Sequence, residues 1–170
     1  MSADPALVIG QALPETPWRR IEPEDVRRFC AITGENQWIH TDPERASRDL
    51  PGGTPLVPGA LLVSFSVAWM SDLLDGPGIV RRLQRSYEAI RFRDTVPVGT
   101  PLCLRATPLS LRVLPVKQDQ GGLERVYVVL EAQLLRRFKA TPVLEGRFSS
   151  LLERETGGGA DRASERDPRP

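Results

Sequence analysis

The stretch from Gly59 to Leu74, GALLVSFSVAWMSDLL, is apolar on nearly every side of a helix and carries a single charge, Asp72. A helix of that kind has to be covered by other structure. It falls short of the ~20 apolar residues that span a bilayer, so a sheet curling around it is the expected cover. The chain that follows supplies one. Segments near 79–93, 100–114, 123–138 and 142–153 carry the alternation or the β-branched and aromatic content of strands. They are separated by Pro97-Val98-Gly99, by Gln118-Asp119-Gln120-Gly121-Gly122 and by Thr141-Pro142. Helices followed by a run of antiparallel strands read as α+β.

One antiparallel sheet wrapped around one central apolar helix is a hot-dog arrangement, and a single hot-dog domain over residues 1–154 is the expected fold. Upstream of the central helix, Leu50-Pro51-Gly52-Gly53-Thr54-Pro55 reads as a loop broken by glycine and proline. A short helix is expected from Asp42-Pro43-Glu44-Arg45-Ala46, with Asp42 as N-cap and Pro43 at its first position. A longer one starts near Glu22-Pro23-Glu24-Asp25, buries Val26, Phe29, Cys30 and Thr33 on one stripe, and stops at Gly34. Residues 155–170 hold no large apolar side chain and are expected to be a disordered tail.

Composition excludes more than it identifies. With 170 residues, 40% hydrophobic and 26% charged, the chain suits one soluble domain. Its net charge of +1 draws neither nucleic acid nor a membrane surface. Cys30 and Cys103 are isolated and the first ten residues lack a signal-peptide pattern, so a reducing, cytoplasmic setting is expected.

The only histidine, His40, follows Glu35 by five residues in the run Glu35-Asn36-Gln37-Trp38-Ile39-His40, in the loop after the first helix. A carboxylate and an imidazole held together can move a proton near neutral pH. That is the main need in adding or removing water beside a carbonyl. A single histidine cannot make a multi-His metal site and there is no cysteine cluster, so chemistry without metal or cofactor is expected here.

The run Phe29-Cys30-Ala31-Ile32-Thr33-Gly34-Glu35-Asn36-Gln37-Trp38-Ile39-His40 resembles the hydratase motif of the MaoC-like, (R)-specific enoyl-CoA hydratase family. Two later blocks are similar to that family in order and spacing. They are Gly52-Gly53-Thr54-Pro55-Leu56-Val57-Pro58-Gly59 before the central helix, and Ile90-Arg91-Phe92 followed by Val96-Pro97-Val98-Gly99. The resemblance implies a hot-dog fold and hydration of trans-2-enoyl-CoA to (3R)-3-hydroxyacyl-CoA without a metal. It places the catalytic acid on Glu35, where the family has Asp, and the catalytic histidine on His40. It places the thioester-binding backbone N–H on Gly59, at the start of a helix whose dipole supports an oxyanion. Gln37 is a candidate for orienting the carboxylate or a water. Ser64 either touches an acyl group or bonds back to the helix. Arg85 either meets CoA phosphates or is solvated.

An acyl-CoA or an acyl-carrier thioester is therefore the expected substrate, and a homodimer the expected assembly, because a lone hot-dog leaves a sheet edge exposed. Two competing readings share the fold. One is a catalytically silent acyl-thioester-binding subunit of a hydratase heteromer, suggested by the Asp-to-Glu change. The other is an acyl-CoA thioesterase, which gives the histidine motif no purpose.

Overall fold

Alternation in the second half of the chain becomes four antiparallel strands in the computed structural model, which describes residues 7–115 and 123–155. These are β1 (Ile79–Phe92), β2 (Leu102–Leu114), β3 (Leu123–Arg136) and β4 (Leu144–Glu155), in the order β1-β4-β3-β2. Every end falls within two residues of the sequence expectation. β3 stops early because Phe138 sits at φ 65°, a left-handed turn conformation that a strand does not continue through. Four helices precede the sheet: α1 (Pro23–Thr33), α2 (Trp38–Thr41), α3 (Pro43–Asp49) and α4 (Gly59–Leu74). The α+β hot-dog fold is therefore present. The tail expected over 155–170 lies outside the described residues, except for Glu155, which ends β4.

The period of two explains the core. Val126, Val128, Leu130, Ala132 and Leu134 all face inward from β3 and pack with Leu62, Trp69, Met70 and Leu74 of α4. The cover over α4 leaves one side open. Ala60, Ser64, Ala68 and Asp72, one stripe at i, i+4 spacing, remain exposed. The open stripe costs little because three of its members are small and the fourth, Asp72, pairs with Arg19 at 2.6 Å. The two sheet edges differ. The segment 10–19 lies along β2, with Gly10, Leu13 and Thr16 N–H groups donating to the carbonyls of Pro108, Ala106 and Leu104. β1 is the other edge, and no described residue pairs with its outer side.

β1 also carries bulges, one of them between Glu88 and Arg91, where Ala89 adopts φ 51°. There it presses on β4. A Cβ at Gly146 would overlap Ile90 Cδ1 and stand 3.2 Å from Ile90 Cα. The side-chain tip can turn away, but the tight contact with Ile90 Cα is backbone and has to give by a few tenths of an ångström. Gly146→Ala is expected to destabilise the fold by about 1–3 kcal/mol, read as a lowered urea midpoint with unchanged slope.

Three helix ends follow the capping rules and set the geometry upstream. The Glu22 N–H donates to Asp25 Oδ2 at 2.9 Å at the start of α1, and Gly34 closes α1 at φ 75°. Asp42 Oδ1 accepts the Arg45 N–H at 2.8 Å at the start of α3. Between them the expected loop contains one helical turn, α2. It forms because the Gln37 carbonyl accepts both the His40 N–H and the Thr41 hydroxyl at 3.0 Å. His40 therefore sits on a helix rather than in a loop.

Candidate active site

Two backbone contacts staple the α1–α2 region to distant chain, and two more join residues 55–57 to 96–98. Leu56 N–H donates to Ile39, Val57 N–H to Val96, Val98 N–H to Pro55 and Gly99 N–H to Ile21. Beside these contacts lies a half-open cavity of about 750 Å³, within the range of small-molecule sites. Its walls include Val26, Arg27, Cys30 and Ala31 of α1, Glu35 and Asn36 of the turn, and His40 and Thr41 of α2. Thr54, Pro55, Val98 and Gly99 complete the far side, and Glu22 and Pro23 lie at the start of α1. All three blocks singled out in the sequence thus contribute to one cavity.

Glu35 and His40 both line it and both are half-buried. The His40 ring is held by its Nδ1, 2.7 Å from the Leu56 carbonyl oxygen. A carbonyl only accepts, so Nδ1 carries the proton and Nε2 of the neutral ring keeps its lone pair. Glu35 folds back on its own turn, where Oε1 accepts the Gln37 N–H at 3.0 Å. The other carboxylate oxygen, Oε2, has no hydrogen-bond partner among the described residues. The pair therefore offers one basic nitrogen and one carboxylate oxygen in a shared space.

The other candidates are not brought there. Gly59 is absent from the lining, and the Phe92 ring lies over it, 2.9–3.3 Å from where a Cβ would stand. Gln37 meets Glu35 through its backbone N–H, and its exposed side chain does not line the cavity. The Ser64 hydroxyl donates to the Ala60 carbonyl at 3.0 Å, the helix-bonded alternative. Arg85 is the extra residue of a β1 bulge between Gln84 and Ser86, exposed and away from the lining. Its neighbours are engaged elsewhere: Arg81 with Glu153, and Arg82 with Ser71 and Asp75. Among the described residues no group of three or more His, Cys, Asp or Glu side chains is placed to hold a metal ion.

Most wall residues were not singled out for the site beforehand, Cys30 and Asn36 among them. Cys30 was legible only as part of the buried stripe of α1, which cannot say whether core or cavity lies opposite. Asn36 had no signal beyond standing next to Glu35. Burial first, and the Glu35 carboxylate second, push the Cys30 thiol above its ordinary value. Glu35→Gln removes the second cause, lowers that value and enlarges the thiolate fraction. Alkylation of Cys30 by iodoacetamide near pH 8 is then expected to quicken, as peptide mapping would show. An unchanged rate would put the two side chains out of electrostatic reach.

Comparison with known proteins agrees with the fold. The family model described as MaoC like domain matches residues 6–114. A 3-hydroxyacyl-thioester dehydratase Z of Mycobacterium tuberculosis is 32% identical over 98 residues, covering 58% of this chain and 64% of that protein's length. Among solved structures, the (R)-hydratase from A. caviae involved in PHA biosynthesis superposes with a TM-score of 0.60 at 19% identity, covering 85% of this chain and 96% of that one. A M. tuberculosis protein described as having a double hotdog fold gives a TM-score of 0.65 at 18% identity, covering 92% of this chain and 45% of the other.

Proposed function

The chain belongs to the MaoC-like domain family, and from that premise we propose that it is a hydro-lyase adding water to trans-2-enoyl thioesters, or removing it from (3R)-3-hydroxyacyl thioesters. The observation that carries this reading is the fixed tautomer of His40, whose Nε2 is left basic in the cavity that also holds Glu35. In the hydration direction a water held by Glu35 Oε2 and His40 Nε2 attacks the β-carbon and loses its proton to Nε2. That proton is returned to the α-carbon, so OH and H both come from one water. General acid–base help of this kind contributes about 10²–10⁴-fold. The thioester oxygen, which gathers charge meanwhile, also needs a donor. The family resemblance assigns that task to the Gly59 N–H, which as the first of α4 has no intrahelical acceptor.

The carrier is CoA or an acyl-carrier protein, and the working unit a homodimer. Support for pairing comes from the uncovered β1 edge, where Leu83, Tyr87 and Phe92 are exposed. Light scattering is expected to read twice the 18.9 kDa chain mass. Crotonyl-CoA tests the activity directly. Loss of the conjugated enoyl absorbance without release of free thiol supports the hydro-lyase. Thiol release points instead to a thioesterase, and acyl-CoA binding with neither signal to a silent subunit.

A further inference from the structure

Resting on the hydro-lyase reading, we propose that the side-chain amide of Asn36 is a substrate-contacting residue that donates a hydrogen bond to the thioester oxygen. The inference comes from following the hydroxyl, amide and imidazole donors of the cavity wall. The charged donor there, Arg27, directs Nε and Nη2 to Glu24, each 2.7 Å from a carboxylate oxygen. The Thr41 hydroxyl donates to the Gln37 carbonyl at 3.0 Å, and the Thr54 hydroxyl to the Gly52 carbonyl at 3.2 Å. His40 spends its Nδ1 proton on Leu56. Asn36 lines the same cavity, and its amide has no hydrogen-bond partner among the described residues. Its two N–H groups are therefore free for a ligand.

The backbone around Asn36 is held on both sides while its side chain is left free. Gly34 is locked at φ 75° before it, and the Glu35 Oε1 contact to the Gln37 N–H spans it. The backbone that carries this donor needs no reorganisation when charge develops, which leaves only the side-chain torsions to be set by the ligand. The turn also sets Asn36 directly beside the carboxylate that orients water. The thioester oxygen and the reacting β-carbon belong to one short conjugated unit, so neighbouring side chains can serve both. Gly59 lies outside the lining. Asn36 offers a donor inside it.

The test is steady-state hydration of crotonyl-CoA by wild type, Asn36→Ala, Asn36→Asp and Asn36→Gln, with thermal melting of each. Asn36 is exposed and its side chain makes no hydrogen bond among the described residues, so folding should survive every change. Asn36→Ala is expected to lose about 10²–10³-fold in kcat with little change in KM. Asn36→Asp, which swaps the donor for a charged acceptor, should lose at least as much. Asn36→Gln keeps the N–H groups and should recover part of the rate. Asn36→Ala retaining kcat within about threefold, or losing only in KM, would overturn the donor role while leaving the hydro-lyase reading intact. An inactive wild type would overturn both.

Discussion

His40→Ala is expected to lower kcat for crotonyl-CoA hydration by about 10²–10⁴-fold, since no other side chain of the cavity offers an imidazole base. The change does two things at once. It removes the lone pair of Nε2, and it leaves the Leu56 carbonyl without its 2.7 Å donor. The second effect costs about 1 kcal/mol of stability and could be mistaken for the first. His40→Asn separates them, because the asparagine amide can still donate toward Leu56 but has nothing at the Nε2 position. Both variants should be inactive, while only His40→Ala should melt at a lower temperature. Activity within about tenfold of wild type in His40→Asn would show that the base lies elsewhere.

Glu35→Gln is expected to cost a similar factor, about 10²–10⁴-fold in kcat. Glutamine can still accept the Gln37 N–H through its own Oε1, so the turn and the position of Asn36 should persist. What disappears is the negative charge that holds the attacking water and supports a protonated His40. Glu35→Asp asks a different question. A misplacement of about 1 Å can cost ~100-fold, yet the Glu35 side chain is already folded back on the Gln37 N–H rather than extended. Aspartate closes the same two-residue turn readily. Its rate is therefore expected to stay within about tenfold of wild type. A ~100-fold loss would mean that the extra methylene sets the reach of the acid.

Much of the scaffold could be read before any coordinates because its causes are local. The period-two alternation of residues 123–136 lies within one strand and points every second side chain into the core. Asp42 and Pro43 start α3, and Gly34 ends α1, through contacts spanning only a few residues. The candidate pair, Glu35 and His40, was legible for the same reason: both belong to one short run. Reading α4 as apolar on nearly all sides overlooked that its open stripe is made of small side chains, which exposes little apolar area.

Tertiary structure decided what those residues face. The tautomer of His40 depends on a carbonyl sixteen residues away. Asn36 rather than Gln37 lines the cavity, whose far wall comes from residues 54–55 and 98–99. Gly59 is covered by a ring that arrives on β1, thirty-three residues later in the chain. Periodicity and capping are written into neighbouring residues, and so the chain alone determined the four strands, three of the four helices among the described residues, and the run that holds the candidate pair. The direction of a lone pair, or the burial of a donor, is set by groups that meet only after the sheet has closed on its helix.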